Sequence, residues 1–183
     1  MNTATPHERA LTLAGFEPGA QLLGFSDEVL AQGVALARAH EAQGAPPFGT
    51  LIGPHLRHII EHYEALVLRP FVSEVDYDAR PRDREVEHCP TLARQRIAAL
   101  REALREGAAG DLDDALVVFT LVGVEGQWPL ATASNVGREL AFLASHAVHH
   151  FALLREHCAA HGIAISPHFG IAPATVAHAR KRH

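Results

Sequence analysis

Fourteen of the 183 residues are histidines, several times the usual frequency, and six of them fall in two short clusters. The first reads Gly53-Pro54-His55-Leu56-Arg57-His58-Ile59-Ile60-Glu61-His62-Tyr63, the second Ser145-His146-Ala147-Val148-His149-His150-Phe151. Neutral imidazole offers a nitrogen lone pair to zinc, nickel, iron or copper. Residues four apart on a helix stand one above the other on the same face. His146 and His150 have that spacing, as do His58 and His62, so either pair can reach one ion with little backbone adjustment. Three nitrogens on one ion leave coordination positions for water or substrate, the open type of site found in catalysis.

Four helical stretches must position these rings. The first is expected over about Asp27 to Ala42, with Ser26 as its cap, acidic residues at its positive end and Gly44 as its stop. The second spans about Ile52 to Leu68, where Ile52, Leu56, Ile59, Tyr63 and Leu66 alternate at spacings of three and four. The third runs from Pro90 to about Glu106 with Ala93, Ile97, Leu100 and Leu104 inward. In the fourth, capped by Ser134 or Asn135 and ended by Gly162, Val136, Leu140, Leu143, Ala147, Phe151, Leu154 and Cys158 form an unbroken apolar seam. Val72 to Glu87 is polar and reads as a long crossover connection. Leu116 to Ala133 reads as a short β-hairpin turning near Gly126, its second strand held to an edge by Pro129. The Pro-rich tail after Gly162 is expected to lie along the helices. Four amphipathic helices with one long connection argue for a mainly α protein, a four-helix bundle in one domain over 1–183 with its core at about 20–162 and its tail at 163–183.

At about 100° per residue, His146 and His150 fall roughly 60–110° to one side of the seam of the fourth helix, with Glu139 and His157 on the same flank. His55, His58 and His62 fall roughly 80–140° to the side of the second, in the same rotational sense. Flanks of the same sense converge only between antiparallel helices, because reversing a helix mirrors its offset. The second and fourth helices are therefore expected to run antiparallel and to share the site. On periodicity alone His62 or His55 is the better placed ligand of the second helix. His149 turns away from the seam, and His40, His88, His161, His168, His178 and His183 read as surface residues.

The bulk composition narrows the classes of function. The formal net charge is −5 and the basic residues are scattered, so a nucleic-acid partner is not expected. No apolar run approaches the roughly 20 residues a membrane span needs, and Met1 to Pro6 lacks the features of a signal peptide. Two cysteines, Cys89 and Cys158, make no disulfide framework, so a cytoplasmic location is the expectation. No phosphate-binding glycine loop or zincin motif is present.

His-Leu-x-His at 55–58, His-x2-His-His at 146–150 and the preceding Asn-x-x-Arg-Glu-Leu at 135–140 together resemble the DinB superfamily, which includes the YfiT-like metalloenzymes. The resemblance covers about 20–162. It implies an up-down-down-up bundle with the crossover between helices two and three. It also implies a divalent zinc, nickel or iron ion on His58, His146 and His150, with His62 and His55 as alternates. Relatives carry Arg-Gly-Gln after the last histidine pair, where this chain has Phe151-Ala152-Leu153. The resemblance implies thiol-dependent transfer or hydrolysis of a small molecule, with a low-molecular-weight thiol as a partner. Asp76, Asp78, Arg80 and Glu139 are the catalytic candidates, and Glu61 and Glu139 could orient a ligand. The alternative is a non-catalytic, metal-binding or stress-related homodimer.

Overall fold

A computed structural model describes residues 18–43, 46–69, 71 and 73–182, and Gly44 and His183 lie outside them. The chain is mainly helical, with a small three-stranded sheet. The helices are α1 (Pro18–Gln43), α2 (Ile52–Val67), α3 (Arg84–His88), α4 (Pro90–Arg105), α5 (Val136–Ala160) and α6 (Pro173–Arg180). The strands are β1 (Glu74–Asp76), β2 (Ala115–Val122) and β3 (Trp128–Asn135), and a 3₁₀ turn spans Phe48–Thr50.

Three expected helices stand close to their sequence boundaries. In α2 the buried set is Ile52, Leu56, Ile59, Ile60, Tyr63 and Leu66, the stripe that a 3.6-residue period dictates. Cys89 caps α4 through its Sγ, and Pro90 occupies a first-turn position where no intrahelical N–H is needed. Asn135 caps α5, its Oδ1 accepting from the Arg138 N–H at 2.8 Å. The α5 seam is buried from Val136 to Cys158.

The first helix differs from expectation. Its described part spans Pro18–Gln43, and Ser26 is fully buried in its interior and caps nothing. Leu22, Leu23 and Phe25 pack against the core, so the apolar face continues upstream of Ser26, and that burial overrides a local capping signal. The polar crossover is also more ordered than its composition indicates. Val75, buried at the middle of β1, pairs in parallel with Val118 of β2. Asp83 caps α3 by accepting from the Glu85 and Val86 N–H groups, and Val86 is buried.

The hairpin is antiparallel, Val117 opposite Ala133 and Leu121 opposite Pro129, with sheet order β1-β2-β3. Pro129 thus lies on an edge strand, where a missing N–H is tolerated. Helix α1 packs against α4 and α5, and so does α2. Along the α2–α5 contact His55 meets His150 while His58 and His62 meet His146. Ascending numbers on one helix face descending numbers on the other, so the two run antiparallel. The tail returns to the core through Ile163 and Phe169, the Phe169 ring lying 4.8 Å from that of Phe151.

Candidate metal centre

Helices α2 and α5 each present a flank of imidazoles to the cleft between them. One nitrogen from each of His58, His146 and His150 lies within 4.8 Å of the others. The His146 Nε2 is 2.9 Å from the His58 Nε2 and 3.2 Å from the His150 Nε2. Imidazole nitrogens bind zinc at about 2.0–2.1 Å, so two of them at a right angle on one ion stand about 2.9 Å apart, and somewhat further apart at tetrahedral angles. The spacing and the all-nitrogen donor set therefore fit a single divalent ion held on one side, with coordination positions left over.

The rings are half-buried, and burial is the first cause that lowers the basicity of each. The His58 pKa falls from 6.5 to about 2, through desolvation and then through His62, His150, Arg80 and His146. His150 falls to about 3, through desolvation and then through His146, His55 and His149. His146 is lowered by desolvation, His149 and Arg80. All three rings are thus neutral at physiological pH, which is the protonation state a metal ligand needs.

The two alternates stand beside the triad. His55 Nδ1 is 2.7 Å from His150 Nδ1, so with His150 Nε2 on an ion, the Nδ1–H of His150 can donate to His55. His62, only 7% exposed, donates from Nδ1 to the His58 carbonyl at 2.7 Å. Its ring is stacked on Tyr77 and lies 5.1 Å from that of His146. Burial and Arg80 hold it at about 4 against the pull of its backbone bond, so its Nε2 is an unprotonated acceptor at neutral pH. Phe142, one helical turn before His146, stacks on that ring at 5.4 Å. Phe142 lies outside the histidine pattern, and only its spacing of four from His146 marks it in the sequence as a neighbour of that ring.

The catalytic candidates divide. Arg80 reaches the site, its Nη1 3.1 Å from His58 Nδ1, with its Nε donating to the Tyr77 carbonyl. Glu61 is fully buried behind it: Oε1 accepts from the Asp83 N–H at 2.6 Å and Oε2 lies 3.7 Å from Arg80 Nη1. Glu139, also buried, accepts from the Tyr77 hydroxyl at 2.9 Å and from Ser134 Oγ, and pairs with Arg138. Asp78 accepts from the Leu121 N–H at 2.6 Å and from Thr120. Asp76 closes a turn by accepting from the Asp78 and Ala79 N–H groups. These three carboxylates hold the sheet and its loop in place. Neither Glu61 nor Glu139 hydrogen-bonds a ligand imidazole. His149 and His88 are exposed as expected. His40 is not: it is buried, its Nε2 2.7 Å from the Pro46 carbonyl and its ring against Phe48. It falls on the packed side of α1, and histidine without a spacing pattern gave no warning of that.

No family model matches the chain. It is 31% identical over 111 residues to the FK506-binding protein 5 of Rhizopus delemar, a match covering 61% of this chain and 29% of that protein. The chain thus spans less than a third of the length of the curated relative it matches. No solved structure matches it. Among the described residues, no helix is long and apolar enough to cross a membrane.

Proposed function

We propose that this chain is a DinB-like four-helix bundle, α1, α2, α4 and α5 in up-down-down-up order, that binds one divalent zinc, nickel or iron ion on His58, His146 and His150. The observation that carries the reading is the convergence of three neutral imidazoles from two antiparallel helices. The packing of α1 and α2 against both α4 and α5 supports the bundle arrangement. A bound ion would act as a Lewis acid that lowers the pKa of a coordinated thiol or water. The substrate class we favour is a small molecule attacked by a low-molecular-weight thiol, with hydrolysis as the variant chemistry.

The chain's own contributions follow from the neighbours of the site. His62, fixed in one tautomer by the His58 carbonyl, presents an acceptor nitrogen toward the cleft and is the group best placed to take a proton from a thiol or water. Phe142 and Tyr77 wall one side of the site, Phe142 stacked on His146 and Tyr77 on His62. A second reading, a non-catalytic metal-binding homodimer, is favoured by one observation. Glu139, Asp78 and Asp76 are all engaged in structural hydrogen bonds, and Glu61, which reaches Arg80, is anchored by the Asp83 N–H.

Elemental analysis of protein purified without an affinity tag tests the centre. The expected result is close to one zinc, nickel or iron per chain, lost in His146→Ala and His150→Ala while the far-UV circular dichroism is retained. Unchanged metal content in those variants would refute the ligand set. Thiol-transfer and hydrolysis assays on loaded and stripped protein then separate the enzyme from the binding protein.

A further inference from the structure

Behind His58, on the side away from the triad nitrogens, a cavity of about 660 Å³ opens between α2 and the sheet. Its apolar walls include Ala65, Leu68, Phe71 and Phe119, and Arg80 lines it as well. Leu68 and Phe71 are more than 60% exposed, which is unusual for large apolar groups facing one hollow. The volume suits a small organic ligand.

Arg80 connects this cavity to the triad. A guanidinium has five donors and no acceptor. Nε donates to the Tyr77 carbonyl, Nη1 faces His58 Nδ1 at 3.1 Å, and Nη2 has no protein acceptor among the described residues. For Nδ1 to accept from Arg80, the single hydrogen of a neutral His58 must sit on Nε2, where it can donate to His146 Nε2 at 2.9 Å. With Nε2 on an ion, that hydrogen sits on Nδ1 instead. Donor then faces donor, and Arg80 has to leave. The place it can go is prepared: Glu61 Oε2 is buried without a hydrogen-bond partner and lies only 3.7 Å from Nη1.

We propose that this cavity binds an organic monocarboxylate with an apolar body, and that Arg80, shared between that carboxylate and His58, links occupancy of the cavity to metal binding at the triad. The linkage rests on the metal reading above; the cavity ligand does not. A carboxylate matches the free donors of Nη2, and an apolar body matches Leu68, Phe71 and Phe119. A second negative charge is disfavoured, because four carboxylates, Glu61, Glu64, Glu74 and Asp76, line the hollow against two cations, Arg80 and Arg69, and Arg69 Nη1 already donates to the Leu66 carbonyl. Glu61 is already turned to Arg80 and the Asp83 N–H, Glu64 to Arg96, and Asp76 to its turn. Drawing the guanidinium toward the ligand and Glu61 removes the competitor for His58 Nδ1. Carboxylate and metal then favour each other's binding by the same factor.

The test is a zinc titration of the full chain against a chromophoric competitor, with and without octanoate, alongside calorimetry of octanoate binding. Saturating octanoate is expected to tighten zinc about tenfold, within the usual range of such couplings, and zinc to tighten octanoate equally. Inorganic phosphate should have no effect. Arg80→Gln should bind zinc more tightly than the wild type from the outset and show no octanoate effect. Leu68→Glu, at an exposed wall position, should lose octanoate binding by charge repulsion while remaining folded. Zinc affinity indifferent to octanoate would overturn the linkage, and an undiminished octanoate effect in Arg80→Gln would overturn the role of Arg80. A wild-type protein that binds octanoate but no zinc would refute the metal centre alone. A wild-type protein that binds zinc but gives no calorimetric binding of octanoate would refute the cavity ligand alone.

Discussion

The imidazoles of the cleft are weak bases because they are packed against one another and shielded from water, and this makes stability depend on pH. The ordinary histidine pKa is 6.5, while His58 is held at about 2, His150 at about 3 and His62 at about 4. Below 6.5 the unfolded chain takes up protons that the native state refuses, so stability rises with pH through this window. It is fully present above 6.5 and is lost progressively as the pH falls toward the native values. The urea midpoint of metal-free protein is therefore expected to fall steadily from pH 7.5 to pH 5. In His58→Gln, which removes the most displaced ring, the dependence should be visibly shallower. A midpoint flat across that interval would contradict the burial of these rings. Tyr77→Phe tests a different contact. It strips a donor from the fully buried Glu139, with an expected cost of about 1–3 kcal/mol in chemical denaturation.

At the scale of elements, α2 and α5 act as rigid rails for the rings, and two small features hold the rails in place. Gly53 in the first turn of α2 lies against the end of α3, where an added Cβ would come within 1.8 Å of the Glu87 carbonyl oxygen. Backbone cannot yield by that much, so Gly53→Ala must push α3 away from α2. A loss above about 2 kcal/mol is expected, of the size that overpacking causes, together with weaker metal binding because His55 and His58 follow within one and a half turns. The Asn135 cap holds the start of α5. Asn135→Ala is expected to cost about 1 kcal/mol with little change in metal content, since His146 sits three turns further on. Thermal melts with parallel metal analysis separate these two outcomes.

For the molecule as a whole, the triad ties together two helices that are separated in sequence by the sheet and α4. An ion that binds only when α2 and α5 are in place stabilises the fold by mass action, about 2.7 kcal/mol at a free concentration one hundred times its dissociation constant. Added zinc is expected to raise the melting temperature of the wild type and to leave that of His146→Ala unchanged. An equal rise in both would point to binding elsewhere on the histidine-rich surface.

The helical faces were legible in the sequence because the 3.6-residue period writes burial directly into residue order. From it followed the apolar seams of α2, α4 and α5, the flank on which each histidine lies, and the antiparallel sense of α2 and α5. Three things depended on contacts between distant segments, and no local pattern carried them. Ser26 resembles a cap and is buried, because the helix around it packs on the core. The three residues of β1 are too few to show a period, and their strand exists only because β2 offers Val75 a partner. Among His55, His58 and His62, all on one flank, the close approach of α5 brings the His58 nitrogen to His146 and His150, sets His55 behind His150, and turns His62 toward Tyr77. Residue spacing fixes an angle around one helix axis, whereas the distance between nitrogens on two helices is decided only when the cores of both have packed.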